Sequence, residues 1–463
     1  MTAPATPRDD WLRLIGGEAG LAALRTVTLD GIGLDPLAPP APGTAPRAGR
    51  ADAKGWDLRP LHAGADPAQM RAAVAEDIAG GATSIAIKLA TPGDFGLAPR
   101  YDAITATLEG VDIGRTEISL LPGDQYFGAA QVLMALWERT GQHPASLRAS
   151  LNADPLGTLA RTGALEAGLW PSLELLGQFV SANMLPWPDV RLLLADGALY
   201  HDAGASEAQE LAAMLATAVE YLRVLDFEGI AADEVFPHLA VGLAADVDLF
   251  ASIAKLRAAR LLLARLAETL KAGDAAGRIR LHATTSQRML TARAVHTNAL
   301  RNSIAALGAC LGGADIVTVL PHTWALGQPD AAARRLARNT PVLMAQECGL
   351  AHVLDPGSGS GHIAALTEAL ARRAWELFQD IEEAGGMARA LLSGKVQDGI
   401  AETVARRQKD LAVTGVTAFA GVDEPVTAPP HPVAAPIERA GTRVPALPVR
   451  RLTAHLETKE PAS

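Results

Sequence analysis

The chain has 463 residues and a net charge of −10, with 49% hydrophobic and only 4% aromatic residues. The acidic balance and the lack of a basic run argue against nucleic acid or an anionic membrane surface as the main partner. Cys310 and Cys348 form no metal-binding motif, and the first ten residues contain no apolar signal core. No apolar run approaches the ~20 residues of a membrane span. We therefore expect a soluble, cytoplasmic protein.

The N-terminal region, residues 1–55, divides into a helical stretch and an arm. Residues 10–24 have the spacing of an amphipathic helix, whereas residues 34–49 are a Pro/Ala/Gly run that cannot hold regular structure. Residues 56–60 then look like a lead-in strand. They precede a helix at 66–79 that ends at a pair of glycines.

Short β-branched runs alternate with long Ala/Leu-rich helices across residues 56–425. Eight strand candidates occur, at 84–89, 117–121, 146–151, 190–195, 238–243, 279–283, 316–320 and 342–346. Helical stretches separate them, notably 131–139, 208–225, 246–272, 292–311, 330–338 and 363–384. Eight such units in about 300 residues predict an α/β protein that is a closed (β/α)8 TIM barrel.

An open, doubly wound sheet is the structural alternative to a barrel. It needs a glycine-rich crevice motif after the first strand, and residues 89–94 do not supply one. Beyond the barrel, residues 426–463 are rich in Pro and Ala and predict an extended tail. This tail either wraps the barrel or a partner, or it stays disordered.

In a barrel of this type the working groups lie after the C-terminal ends of the strands. Tyr200 and His201 follow the fourth strand and could act as hydrogen-bond donor and general acid, although a structural loop before a helix is the simpler interpretation. His282 lies near the end of the sixth strand, with Thr285 and Ser286 just behind it. No cluster has metal-ligand spacing. These residues alone predict only a soluble α/β barrel.

Several motifs occur in one order between residues 278 and 387. R-x-H-x-x-T-S spans 280–286 and N-x-x-R spans 298–301, while 254–260 read A-K-L-R-A-A-R. Over residues 56–425 the chain resembles the barrel domain of the cobalamin-dependent acyl-CoA mutases, above all methylmalonyl-CoA mutase. The resemblance implies radical rearrangement of acyl-CoA thioesters with adenosylcobalamin. It also implies a CoA chain threaded along the barrel axis and a separate flavodoxin-like domain that carries the cofactor.

The resemblance also implies roles for individual residues. In the family, the histidine at the position of His282 helps line the acyl-CoA and corrin side of the barrel. If this chain were active, its catalytic residues would be Tyr200, His201 and His282. Its substrate-binding residues would then be Arg59, Thr285, Ser286 and Asn298.

The chain departs from the catalytic members at the substrate and cofactor surface. Its 463 residues contain no D-x-H-x-x-G pattern, so we expect no flavodoxin-like domain here and an axial ligand of cobalamin that comes from another chain. Residues 55–62 keep only Arg59 and Pro60 of the family's substrate-gripping segment. Residues 88–95 lack the family's His-Arg pair, and residues 152–157 replace its Q-N-D.

Residues 197–205 can be aligned with the family in two ways. Anchoring on the shared Ala-Gly-Ala puts Ala198 and Leu199 where the catalytic chains have a Tyr-His pair. A two-residue deletion instead realigns Tyr200 and His201 with that pair. The sequence leaves both alignments open.

Loss of polar site residues on a retained scaffold is similar to the small (beta) subunits of heterodimeric methylmalonyl-CoA mutases. In these proteins a degenerate barrel supports a catalytic one. The resemblance therefore implies a catalytic large subunit as partner, and adenosylcobalamin bound by that partner and not by this chain. The complex would interconvert methylmalonyl-CoA and succinyl-CoA, and this chain alone would be inactive.

The sequence leaves two alternatives open. The chain could be the catalytic large-type subunit of an isobutyryl- or 2-hydroxyisobutyryl-CoA mutase, which uses a separate cobalamin-binding protein. It could also be a free-standing binding or assembly factor built on a barrel scaffold. The substrate-gripping segment discriminates between these hypotheses, because intact Tyr and Arg residues there would favour catalysis.

Overall fold

The computed structural model describes residues 8–38, 55–407, 412–421, 426–434 and 441–457. Most of the predicted Pro/Ala/Gly arm and parts of the predicted tail lie outside these residues. Strands and helices alternate along the longest of the described segments, from strand Asp57–Leu58 to helix Lys395–Arg407. The predicted α/β class is therefore confirmed.

Nine parallel strands form one sheet, and two short strands near the N-terminus form an antiparallel hairpin. The hairpin strands are β1 (Thr26–Val27) and β2 (Gly33–Leu34). The strands of the sheet are β3 (Asp57–Leu58), β4 (Leu61–His62), β5 (Ser84–Lys88), β6 (Glu117–Leu121), β7 (Ala149–Ala153), β8 (Val190–Asp196), β9 (Leu239–Ala245), β10 (Arg280–Thr285) and β11 (Ile316–Thr318). Their order is β3-β11-β10-β9-β8-β7-β6-β5-β4.

The sheet closes because β3 and β4 are two halves of one strand. β3 pairs with β11 and β4 pairs with β5, and only Arg59 and Pro60 lie between the halves. Pro60 has no N–H to donate, which interrupts the ladder, but its carbonyl still accepts from Ala86 N at 2.9 Å. On the other side Arg59 N donates to Val317 O at 3.1 Å. Because β3 and β4 count as one, eight strand positions surround the axis, and the predicted (β/α)8 barrel is confirmed.

The helices of the described residues surround this barrel. They are α1 (Arg8–Leu14), α2 (Gly17–Leu24), α3 (Pro67–Ala79), α4 (Tyr101–Thr107), α5 (Tyr126–Thr140), α6 (Pro155–Thr162), α7 (Leu169–Asn183), α8 (Ala198–Asp202), α9 (Glu207–Phe227), α10 (Ala232–Val235), α11 (Leu249–Thr269), α12 (Thr297–Leu311), α13 (Ala331–Gln346), α14 (Gly361–Glu383), α15 (Met387–Ser393), α16 (Lys395–Arg407) and α17 (Ala454–Glu457). The helix predicted at 10–24 is two helices, because Gly16 (φ 90°) and Gly17 (φ 72°) adopt left-handed backbone angles between them.

The prediction of a strand at 342–346 is wrong, because this segment is the end of α13. The buried positions of α13 include Ala333, Ala337, Pro341 and Met344, whose spacing of three or four residues is that of one helix face. A short apolar run has no period of its own, so the sequence could not separate strand from helix here. The barrel position predicted for this strand is taken by β3 and β4.

The two longest inner helices begin at capped positions that the sequence encodes. Ser206 Oγ accepts from Gln209 N at 3.3 Å and Gln209 Oε1 accepts from Ser206 N at 2.9 Å, which is a capping box at the start of α9. Asp248 accepts from Ala251 N at 3.0 Å at the start of α11. Helix α14 packs across both on the outside. This layer fixes the strands that carry the candidate residues.

Candidate functional site

The C-terminal half of the barrel interior contains a cavity of about 170 Å³, called the lumen cavity below. Small residues border it, including Gly242 and Ala244 on β9 and Thr284 on β10. Interior positions of such barrels usually carry branched side chains that fill the axis. The small residues here leave that part of the axis open.

A buried ion-pair cluster fills the N-terminal end of the same axis. Arg59 donates from Nε to Ser84 Oγ at 2.8 Å and from NH1 to Ser150 Oγ at 3.2 Å, and its NH2 group pairs with Asp57 and Glu117. Burial raises the pKa of Glu117, but the charges of Arg59 and Arg280 outweigh it and lower that pKa to about 2. These partners therefore hold the Arg59 side chain at the N-terminal end of the barrel, and it does not border the lumen cavity.

His282 borders the lumen cavity, as its place on β10 predicts. The Thr318 hydroxyl donates to Arg59 O at 2.6 Å, so Thr318 Oγ1 accepts from His282 Nε2 at 2.8 Å. Burial and the charges of Arg59 and Arg280 lower the pKa of His282 to about 3. The imidazole is thus neutral at pH 7 and carries its proton on Nε2. That N–H already donates to Thr318 on the neighbouring strand.

Tyr200 and His201 lie on α8 and are fully buried. Neither borders the lumen cavity, whereas Ala198 and Leu199 on the same helix do. The geometry therefore agrees with the alignment that places Ala198 and Leu199 at the positions of the family's Tyr-His pair. Two apolar side chains stand there, and they offer neither a proton nor a hydrogen bond to a substrate.

His201 belongs to a buried network behind the barrel wall. Its Nε2 is 3.0 Å from both Ser286 Oγ and Asp246 Oδ2, and its Nδ1 is 3.1 Å from Glu210 Oε2, which also pairs with Lys255. Ser286, His201 and Glu210 have the connectivity of a hydrolase triad. However, Ser286 is 1% exposed and borders none of the larger cavities of the described chain. The network instead ties α8 to α9 and α11.

Thr285 and Asn298 are also satisfied by the protein itself. Thr285 borders the lumen cavity, but its Oγ1 accepts from Leu320 N at 2.8 Å. Asn298 Oδ1 accepts from Arg301 NH1 at 2.7 Å, and its Nδ2 donates to His322 O at 2.9 Å. Asn298 lies outside the lumen cavity and fixes α12 against the barrel, so of the seven candidate residues only His282 and Thr285 meet there.

Sequence reasoning missed Lys88 as a residue of the barrel mouth. Its Nζ is 2.6 Å from Asp94 Oδ2 and 2.6 Å from Phe95 O, and it lies 4.2 Å from the centre of the Phe95 ring. Burial lowers the pKa of Lys88 to about 8, against the opposing effect of Asp94. A single lysine directly after the apolar run 85–87 of β5 is a signal that could have identified it.

A second missed group surrounds Asp154, the residue before α6. Burial raises the pKa of Asp154 to about 7, and the Tyr221 hydroxyl donates to its carboxylate. Lys88, Asp154 and Asn152 border a polar pocket of about 90 Å³. Asn152 has a left-handed φ of 51°, held by donation from its Nδ2 to Leu120 O at 2.7 Å. These polar groups of the mouth are therefore already hydrogen-bonded within the protein.

The C-terminal tail covers the mouth of the barrel. Leu447 N donates to Ala160 O at 2.8 Å and Arg450 N donates to Asp202 O at 2.8 Å. Between these anchors the side chains of Leu447 and Val449 border the lumen cavity. The described part of the tail thus lies on the barrel, and the cavity is bounded by ion pairs below and by the chain's own tail above.

Neither a metal cluster nor a membrane helix is found in the ranges that the structure describes. No three His, Cys, Asp or Glu residues there lie close enough to hold a metal ion. No helix there is long and apolar enough to cross a bilayer.

Fold and site together define an α/β-barrel protein with a short lumen bounded at both ends. The family model described as methylmalonyl-CoA mutase matches residues 44–435. The chain belongs to the methylmalonyl-CoA mutase family, whose members are generally cobalamin-dependent isomerases. The resemblance predicted from the motifs is thereby confirmed.

Relatives named as small subunits match more of the chain than those named as large subunits. The chain is 41% identical to the methylmalonyl-CoA mutase small subunit of Streptomyces virginiae, over 94% of this chain and 74% of the relative. It is 34% identical to the small subunit of Propionibacterium freudenreichii subsp. shermanii, over 86% of this chain and 64% of the relative. The large subunit of the same organism is 31% identical, over 68% of this chain and 44% of the relative. The predicted similarity to small subunits is confirmed.

Proposed function

We propose that this chain is the non-catalytic small subunit of an adenosylcobalamin-dependent methylmalonyl-CoA mutase. A catalytic large subunit is its partner, and the complex interconverts methylmalonyl-CoA and succinyl-CoA in the cytoplasm. The observation that carries the proposal is the ion-pair cluster that fills the N-terminal end of the lumen. The reaction belongs to the partner, and this barrel supplies a folded surface that stabilises it.

The filled N-terminal end of the lumen argues against an acyl-CoA path through this barrel. The family arrangement threads the CoA chain along the axis, so it needs an opening at the N-terminal end. Here that end holds Arg59 and Glu117, both buried and paired. Removing such a pair from its partners costs several kcal/mol, roughly 3–5 when one charge is left alone. A thioester would have to break this cluster before it entered.

The residues of the mouth do not fit the cobalamin cofactor either. A corrin ring is far larger than the lumen cavity of about 170 Å³, and Leu447 and Val449 stand above that cavity. Among the described residues, His282 is the only histidine that borders the cavity, and its Nε2 is bonded to Thr318. We therefore assign the cofactor to the partner.

The N-terminal segment 8–38 is the surface that we assign to the partner. Leu14 is 80% exposed and Val27 is 67% exposed, and Leu24 in the same segment is also exposed. The segment is fixed to the barrel, since Asp30 Oδ2 accepts from Ala208 N at 3.3 Å and Leu29 O accepts from Arg406 at 3.2 Å. An anchored segment with outward apolar side chains suits a stable protein contact.

Affinity purification of this chain from its host tests the proposal. We expect one large partner that carries both a complete barrel and a D-x-H-x-x-G cobalamin motif, with mutase activity and cobalamin only in the complex. Activity should persist when His282→Ala replaces the wild-type chain, provided that the complex still forms. A small cobalamin-only partner, together with activity lost in His282→Ala, would instead place the chemistry in this barrel.

A further inference from the structure

A second, larger cavity of about 690 Å³ lies outside the lumen, between the barrel mouth and the C-terminal tail. We call it the tail pocket. Trp324 and Gln287 of the barrel form part of one wall, and the tail residues from Arg450 to Leu456 form another. The volume lies within the range of about 300–1,000 Å³ that small-molecule sites occupy.

The tail pocket is positively charged in a protein whose net charge is −10. No Asp or Glu is among the described residues that line it. The basic side chains in its lining are Arg288, Arg407, Arg450, Arg451, His431 and His455. A concave surface with one sign of charge concentrates ligands of the opposite sign.

Two of these arginines already form ion pairs within the protein. Arg288 donates to Ala205 O at 2.7 Å and to Asp246 at 2.7 Å, and it is buried. Arg451 pairs with Glu457 at 2.5 Å. These two side chains shape the wall of the pocket, and their charges are balanced where they stand.

The other two arginines, Arg407 and Arg450, form no ion pair among the described residues, although the charges of Glu207 and Asp246 act on Arg407 from a greater distance. Arg407 donates only to the neutral carbonyls Gly204 O and Ala205 O, at 3.4 and 3.0 Å. Burial, together with the charge of Arg288, lowers the pKa of Arg407 to about 10, so it remains charged at neutral pH. Arg450 is exposed, and no carboxylate of the described residues lies within ion-pair distance of its side chain. An anion in the pocket would give both side chains the ion-pair partner that they lack.

We propose that the tail pocket binds a small, phosphate-bearing organic molecule. Arg407 and Arg450 contact its phosphate groups, because two guanidinium forks match phosphate oxygens in geometry and charge. The apolar side chains Val404, Leu452 and Leu456 in the same lining accept its uncharged part. This proposal stands on the pocket alone and does not depend on the role of the chain in a mutase.

Binding would also fasten the tail to the barrel. Arg407 ends α16 on the barrel side, whereas Arg450 belongs to the tail. A ligand held by both would therefore bridge the two walls of the pocket. We expect such a ligand to protect the tail from proteases, because the cleavable backbone must leave the pocket to be cut.

Isothermal titration of the full chain with ADP and with pyrophosphate tests the proposal, with citrate as the carboxylate probe. We expect ADP and pyrophosphate to bind, and Arg450→Gln and Arg407→Gln each to weaken binding by about tenfold. Arg148 is exposed and does not line the tail pocket, so Arg148→Gln should leave binding unchanged. Arg450→Gln is the decisive variant, because its exposed side chain has no described bond whose loss could unfold the protein.

Three results would overturn the proposal. ADP and pyrophosphate could fail to bind the free chain at millimolar concentration, which is also the result expected if an acidic segment of a partner protein fills the pocket. Citrate could bind as tightly as pyrophosphate, which removes the preference for phosphate. Binding could also persist unchanged in Arg450→Gln while the melting temperature of the variant matches that of the wild type.

Discussion

Arg59 and Glu117 form a buried ion pair that closes the N-terminal end of the barrel lumen. Arg59 also links β5 and β7 through Ser84 and Ser150, so one side chain ties three strands together at the axis. A residue that could have bound a substrate carboxylate thus serves as an internal brace.

Removing this brace should destabilise the fold strongly. Arg59→Met leaves the carboxylates of Glu117 and Asp57 buried without their main counter-charge, and we expect a loss of about 3–5 kcal/mol in the free energy of unfolding. Urea unfolding followed by circular dichroism measures it. Arg115→Gln, which breaks the exposed pair with Asp112 at 3.6 Å, should cost less than about 1 kcal/mol. Equal losses in the two variants would refute the bracing role.

The neutral His282 predicts a pH dependence of stability. Its pKa is about 3 in the folded protein against 6.5 for an ordinary histidine, so the unfolded chain binds the extra proton more readily. The contribution of the neutral His282 ring to the free energy of unfolding is therefore fully present above pH 6.5. It is lost as the pH falls from 6.5 towards 3. The slope from this one group is at most about 1.4 kcal/mol per pH unit.

Replacing the histidine isolates that contribution. The free energy of unfolding of His282→Gln should depend less on pH between 6.5 and 4.5 than that of the wild type. His352→Gln, at an exposed position, should retain the wild-type slope. A His282→Gln curve parallel to the wild-type curve would show that the ring is not buried as a neutral group.

Leu447 anchors the part of the C-terminal tail that lies over the lumen cavity. Leu447 is 7% exposed, whereas its neighbour Val449 is 47% exposed. Leu447→Ser should lower the free energy of unfolding by about 1–3 kcal/mol and speed cleavage of the tail in limited proteolysis. Val449→Ser should have a much smaller effect on both. If the two variants are cleaved at the same rate, the tail is not anchored through Leu447.

The N-terminal segment should contribute to partner affinity and not to the stability of the free chain. Leu14→Ser and Val27→Ser remove exposed apolar side chains, so we expect little change in melting temperature. We expect weaker binding of the large subunit, by roughly tenfold for the double variant. Surface plasmon resonance with the large subunit measures it. Leu185→Ser, 84% exposed and outside the segment, is the matched control, and equal weakening there would contradict the assignment.

The barrel and the family could be predicted from the sequence because their signals are repeated. Strands and helices recur along hundreds of residues, and several motifs stand in one order. The strand predicted at 56–60 corresponds to β3, but its role in closing the barrel was missed, since the strand is short and split at Pro60 and its pairing with β11 joins residues far apart in the chain. The run at 342–346 was wrongly counted as the eighth strand, because a short apolar run does not distinguish a strand from a helix.

The sequence also did not show which side chains face the barrel axis. Tyr200 and His201 look like site residues because they follow a strand, but α8 turns them away from the axis and presents Ala198 and Leu199 instead. The pairing of Lys88 with Asp94, and the path of the tail over the mouth, depend on tertiary contacts that no local pattern encodes.

Mutase activity of the reconstituted complex, with the lumen of this chain filled, tests the central claim most directly. Ala244→Leu places a larger side chain in the lumen cavity and removes none of the hydrogen bonds described above. If this barrel only supports its partner, kcat and KM should change by less than about twofold, while the melting temperature and the co-purification of the complex stay as in the wild type. Loss of activity in a complex that still forms and remains folded would contradict the account and place the substrate in this barrel.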